Sequence, residues 1–293
     1  MRNLRTAATM MILAAGAALA GCARQWRATE LARLDGFGTP ESVFVAPWTG
    51  EVFVSNIVIA PTGDDSRYNA ADGTGFISRL GPEGKGGTMT WVESTAAAPL
   101  NSTKGVCPFN DVLYVADIDH IRRLAIPTGK ALKPIVIPDA QFLNDVASDG
   151  RFVYVSDTGT GKIHRIDGEK HTAIAEVGSA NGLAFFGGKM FCVSWLLHEV
   201  YEVDPTGKTE PIPFGLADKL GGLDGIVAMP DGQLLISDLK GGKVVLVGTD
   251  RKTVRTLIEI ERPADIAVDH ARGLLYIPTV NRNALFVYRL QRE

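Results

Sequence analysis

Six residues stand at the heads of short apolar runs spread along the chain: Glu41, Lys104, Asn144, Asn181, Asp224 and Asp265. Five of the six are Asp, Asn or Glu. Brought together by a fold, such oxygen donors suit a hard divalent cation, calcium first, with zinc, manganese or magnesium as other candidates. Asn and Asp also favour turns, which accounts for one or two such positions but not for Glu41, a weak turn former. Lys104, the single base of the set, suits either of two tasks: balancing the carboxylates or orienting a substrate.

Other groups carry weaker signals. Gly159-Thr160-Gly161-Lys162 lacks the upstream Gly and the following Ser/Thr of a phosphate loop and lies between two strands, so it reads as a hairpin turn. His120, His164, His171, His198 and His270 show no ligand spacing and read as surface or turn residues. No Gly-x-Ser-x-Gly elbow is present. Asp117, Asp157 and Asp238 end apolar runs and read as turn caps.

The elements that must position the six residues form a repeat. Each copy is an apolar strand, a turn, and a second apolar strand ending in a small or polar residue. Asn144-Asp145-Val146-Ala147 followed by Phe152-Val153-Tyr154-Val155-Ser156-Asp157 is one example, and Asp224-Gly225-Ile226-Val227 followed by Leu234-Leu235-Ile236-Ser237-Asp238 is another. The copies are spaced 63, 40, 37, 43 and 41 residues apart. Apart from the first interval, that is the length of a four-stranded propeller blade. Between copies lie alternating polar and apolar stretches, such as Lys162-Ile163-His164-Arg165-Ile166-Asp167, with the period of half-buried strands. The expectation is an all-β, six-bladed propeller over residues 28–293, with the six residues at one mouth of its channel. Blade six supplies only three strands, so residues 28–37 should form its fourth and close the ring. The long first interval comes from 57–75, a polar, Gly-rich stretch that reads as a lid over the same mouth.

The first residues read as an export signal. Arg2 and Arg5 precede an apolar run that ends in Leu19-Ala20-Gly21-Cys22. This phrase resembles the lipobox of bacterial lipoproteins, in which the cysteine is lipidated. Residues 1–21 are then the signal peptide, Cys22 the lipidation site and 22–27 a tether. Ala23 is not aspartate, which favours the outer membrane with the domain facing the periplasm. Removing the signal takes away two arginines from a chain of net charge −3. A mildly acidic chain without a basic run is a poor partner for nucleic acid. Membrane contact is expected through the lipid anchor only. Cys107 and Cys192 fall in non-adjacent blades and read as buried apolar residues. A hydrophobic fraction of 45% is ordinary for a globular chain.

On these phrases, from about Phe37 onward, the chain resembles the senescence marker protein (regucalcin) and gluconolactonase family. The resemblance implies a divalent cation held by Glu41, by Asn181 in an Asn-Gly-Leu phrase and by Asp224 in an Asp-Gly phrase, with a further contact from Asn144. It also implies that Asp224 is metal ligand and general base in lactone hydrolysis. Two departures stand out. Glu41 lies in Pro40-Glu41-Ser42-Val43-Phe44 and not in the family's Gly-Glu phrase. Phe142 stands where sugar-lactone members carry an arginine, so a sugar substrate does not follow. Two functions remain: a metal-dependent lactone or ester hydrolase, or a non-catalytic NHL-like propeller binding a small ligand or a protein of unknown identity.

Overall fold

Apolar runs of five to seven residues, each broken by a Gly-, Asp- or Asn-bearing turn, leave the backbone no room for helices and favour antiparallel hairpins. The computed structural model, which describes residues 25–59 and 68–293, contains 24 strands and no α-helix among them. The strands form six four-stranded sheets, arranged as a β-propeller. Blade one contains β2 (Pro40–Val45), β3 (Val52–Asn56), β4 (Phe76–Leu80) and β5 (Gly87–Glu93). Blades two to five begin with the inner strands β6 (Thr103–Phe109), β10 (Leu143–Ser148), β14 (Ala180–Phe186) and β18 (Leu223–Ala228). Blade six contains β22 (Ala267–Asp269), β23 (Leu274–Thr279) and β24 (Ala284–Arg292), completed on its outer edge by β1 (Trp26–Asp35). The closure expected from sequence is therefore present. β1 runs antiparallel to β24 from Trp26↔Arg292 to Asp35↔Ala284, starting two residues before the expected boundary. Cys22 and the signal segment lie outside the described residues.

The core is divided among the blade interfaces. One cluster joins Val43, Val45, Val52 and Val54 of blade one to Leu274, Tyr276, Leu285 and Val287 of blade six. Equivalent clusters fill the other five interfaces. Each fully buried aliphatic side chain contributes roughly 1.5–3 kcal/mol, so the ring is held by side chains facing both sides of every inner sheet. Cys107 and Cys192 belong to these clusters as free, buried thiols, and burial pushes both well above the ordinary thiol range.

The ends of the second strands tie the chain down as it enters each blade. Asp157 accepts hydrogen bonds from the Phe142 and Gly159 amides at 2.8 and 3.1 Å and from Thr160 Oγ1 at 2.6 Å. Asp117 accepts from the Ser102 amide at 3.0 Å, and Asp238 from the Gly221 amide at 2.9 Å. The turn-cap reading of these three residues holds, as does the hairpin reading of 159–162, whose last residue, Lys162, already opens the third strand of blade three.

Candidate site at the upper mouth of the channel

Every inner strand begins at the same mouth, here called upper, and ends at the opposite, lower mouth. The ring residues are aimed by a recurring irregularity. In blades one to five the pairing of the first and second strands slips after its first pair, as between Pro40↔Asn56 and Val43↔Val54 or between Leu223↔Asp238 and Ile226↔Ile236. Two residues in each slip are thus unpaired, and such a bulge redirects side chains off the sheet. The first of the two is Glu41, Lys104, Asn144, Asn181 or Asp224. All five line one cavity of about 320 Å³, together with Tyr68, Phe142, Thr158, Trp195, Leu239, Lys240, Arg262 and Val280.

Asp265 does not join them. In blade six the bridge Pro263↔Thr279 corresponds to Leu223↔Asp238, so the ring position belongs to Ala264 and Asp265 takes the second unpaired position. A one-residue offset reverses the direction of a side chain. Asp265 accordingly lines the lower cavity with Asp145, its equivalent in blade three. The expectation that Asp265 stands at the upper mouth is corrected. Gly105, Gly182 and Gly225 fill three other second positions because neighbouring strands approach too closely for a side chain. A Cβ there would lie 2.5 Å from Asp145 Cα, 2.4 Å from the Asp224 carbonyl oxygen, and against the Asp265 carboxylate, respectively. This layer pinches the channel between its two mouths.

The upper cavity is electrostatically loaded. Glu41 is 6% exposed, and its Oε2 is buried without a hydrogen-bond partner. Burial, and then the Asp224 charge, hold its carboxyl well above the usual range. Burial raises Asp224 to about 7, against the pull of the 2.9 Å hydrogen bond that its Oδ1 accepts from Asn181 Nδ2. Asn144 donates through Nδ2 to Thr158 Oγ1 at 2.9 Å. In both amides the nitrogen is thus engaged and the oxygen is the atom suited to a cation. Lys104 is 1% exposed; its Nζ donates to the Ser102 carbonyl at 3.0 Å and lies 4.2 Å from the Phe142 ring centroid. Burial lowers its ammonium to about 8, with Glu41 and Asp117 opposing. Phe142, which replaces a substrate-gripping arginine in the expected pattern, here supports this lysine.

Among the described residues, no group of three or more His, Cys, Asp or Glu side chains is arranged to hold a metal. A cation in this cavity would rely on two carboxylates, Glu41 and Asp224, and two amides, Asn144 and Asn181. The donor chemistry fits a hard ion, and the orphaned Glu41 oxygen is the atom that such an ion would satisfy. Sequence reasoning missed Tyr68, Lys240 and Arg262, which enter from loops that no repeat marks, and Trp195, which stands where the repeat elsewhere has a turn-capping Asp. Arg262 Nη2 donates to the Tyr68 hydroxyl at 3.5 Å, and Lys240 Nζ lies 4.7 Å from the Trp195 centroid. Tyr68 places the described end of the 57–75 stretch over the mouth, where Asn69 Nδ2 also donates to the Gln141 carbonyl at 2.8 Å. His164 is not at the surface: it is 4% exposed, and neither ring nitrogen has a partner.

No family model matches the chain, and no curated protein matches it. Solved structures do. A luciferin-regenerating enzyme aligns with TM-score 0.67 at 14% identity, covering 91% of this chain and 95% of that one. A putative gluconolactonase aligns with TM-score 0.66 at 16% identity, covering 92% and 93%. A catalytically inactive virginiamycin B lyase from Staphylococcus aureus, solved with quinupristin, aligns with TM-score 0.64 at 13% identity, covering 90% and 99%. At these identities the likeness establishes the fold: a gluconolactonase-like six-bladed β-propeller.

Proposed function

We propose that the upper cavity is the active site of a divalent-metal-dependent hydrolase of lactones or esters, held in the cell envelope by the Cys22 anchor, on the outer membrane and facing the periplasm. The observation that carries the reading is the buried, partnerless Glu41 Oε2 in a cavity shared with Asp224, Asn144 and Asn181. Those four residues would hold the ion, with calcium the first candidate. When bound, such an ion supplies Lewis acidity toward a carbonyl and toward water. Asp224, oriented by Asn181, would be the carboxylate that takes a proton from water and returns it to the leaving alcohol. Lys104 presents an ammonium to the same space and suits a substrate carbonyl or carboxylate oxygen. Tyr68, Phe142 and Trp195 supply apolar walls that exclude water from the reacting group.

The test is a panel of lactones and esters assayed with calcium, zinc, manganese or magnesium and with a chelator. Turnover that the chelator abolishes and that Asp224→Asn lowers at least about 100-fold supports the reading. Absence of turnover across the panel with every metal removes it. One observation favours the second reading, a non-catalytic ligand-binding propeller: Lys104 puts a cation beside Glu41 without any metal.

A further inference from the structure

The lower mouth holds a second cavity. This cavity, about 600 Å³, is walled by the ends of all six inner strands and is lined largely by apolar groups, among them Phe44, Phe109 and Phe185. Two large apolar side chains stand at its rim in solvent: Trp48, 65% exposed, in the β2–β3 turn, and Phe186, 40% exposed, at the end of β14. The upper mouth also exposes large apolar groups, but these are the aliphatic Leu196 and Leu197; among the described residues the exposed aromatic ones, Trp48 and Phe186, both stand at the lower rim, and aromatic side chains settle at a membrane–water interface.

The chain reaches the propeller at this same face. Inner strands run from upper to lower mouth, so β24 runs downward and its partner β1 starts at the lower rim, where Trp26 pairs with Arg292. Trp26 is fastened there: its Nε1 donates to Asp231 Oδ2 at 3.0 Å in the turn that follows β18, and its carbonyl accepts from Arg255 Nη2 at 2.7 Å. Phe186 packs on that turn, its ring 3.3 Å from the position of a Cβ on Gly232. Only three residues, Ala23, Arg24 and Gln25, separate Cys22 from Trp26, a reach of at most about 14 Å over four Cα steps. A lipid on Cys22 therefore holds the lower face, and not the upper cavity, against the bilayer.

We propose that the lower face, with Trp48 and Phe186 as its contacts, rests on the lipid surface to which Cys22 is anchored, so that the upper cavity opens away from the membrane. The occupant is a lipid interface and not a protein partner, because the anchor point and the exposed aromatic groups share one rim. The anchor also supplies a high effective concentration, so two shallow aromatic contacts suffice to fix the orientation. The inference rests on the lipoprotein reading of Cys22 and is independent of whether the upper cavity is catalytic.

The test uses the mature chain, residues 22–293. Cys107 and Cys192 are buried, so Cys22 is the thiol that a maleimide lipid will modify. Coupled in this way to vesicles of phosphatidylethanolamine and phosphatidylglycerol with brominated acyl chains, single-tryptophan proteins report which face meets lipid. A protein retaining Trp48 should be quenched at least about threefold more strongly than one retaining Trp195. Phe186→Ser should weaken the Trp48 quenching. Equal quenching of the two reporters, or stronger quenching of Trp195, overturns the proposal. Should the multiply substituted proteins fail to fold, hydrogen exchange of the tethered unsubstituted protein decides: slowed exchange at 47–50 and 186–188 supports the proposal, and unchanged exchange there contradicts it. The mass of Cys22 in cell membranes tests the anchor separately. An unmodified Cys22 removes the lipoprotein reading, while the synthetic tether still decides which face prefers lipid.

Discussion

Burial of carboxylates is the dominant feature at the scale of single residues, and it makes a pH prediction whose sign runs opposite to that of ordinary surface acids. Asp224 is raised to about 7 and Asp145 to about 6, in each case first by burial. Between their unfolded values, about 4, and these raised values, the folded protein holds protons that the unfolded chain has released. The stabilisation is therefore complete below about pH 4 and is lost as pH rises through 6 to 7. The unfolding free energy of the metal-free protein should fall over that window, by an amount on the order of a few kcal/mol for Asp224, and thermal melts should move down with it. Asp224→Asn should flatten the upper part of the fall, and a bound divalent cation should flatten it in the unsubstituted protein by favouring the charged carboxylates. A melting temperature that rises from pH 5 to 7 without metal would contradict this account. The ring residues were legible one by one because each heads an apolar run. His164 was not, since the alternation around it implies a solvated face. In the fold, His164 pairs with Val155 and shares its buried face, so both faces of this third strand are covered.

At the scale of elements, two features hold the ring and each predicts a phenotype. Deleting 26–35 removes β1, which satisfies the edge of β24 and packs Trp26, Ala28, Ala32 and Leu34 on neighbouring clusters. The truncated protein should melt at least about 10 °C lower or fail to fold, since an open blade exposes a long edge; differential scanning calorimetry of soluble material is the check. The bulge glycines give a sharper test. Gly182→Ala places a Cβ 2.4 Å from the Asp224 carbonyl oxygen, and overpacking of this kind costs roughly 1–3 kcal/mol. Gly178→Ala, whose Cβ would meet only the Leu197 side chain at 3.1 Å, should cost less in the same urea titration. The repeat itself was readable because the apolar period and turn residues recur. Its register was readable in five blades, where Glu, Lys, Asn or Asp marks the first unpaired position. In blade six the marker is missing: Ala264 occupies that position, and Asp265 next to it matches the Asp-headed phrases by type alone. Loops carry no such period, which is why Tyr68, Lys240 and Arg262 became visible only with the fold; Trp195 ends the fourth copy where other blades carry Asp, and its type alone did not point to the cavity.

Across the whole molecule, the bulged inner strands build two layers with different characters. The upper layer gathers polar side chains from five blades, four of them oxygen donors, and the lower layer pinches the channel with three glycines, Ser42, Asp145 and Asp265. A ligand in the upper cavity therefore touches residues from most of the ring, and its binding should stabilise the entire propeller and not one blade. By mass action, an ion at 100 times its dissociation constant adds about 2.7 kcal/mol, a rise of roughly 5 °C or more for a chain of this size. The measurement that tests the central claim most directly is isothermal titration calorimetry of the mature, chelator-treated protein with calcium, zinc, manganese and magnesium. The account predicts one strong site per chain for at least one of these ions, lost in Asp224→Ala, reduced less in Asn144→Ala and unchanged in His164→Ala. No binding by the unsubstituted protein, or equal binding by Asp224→Ala, would contradict it.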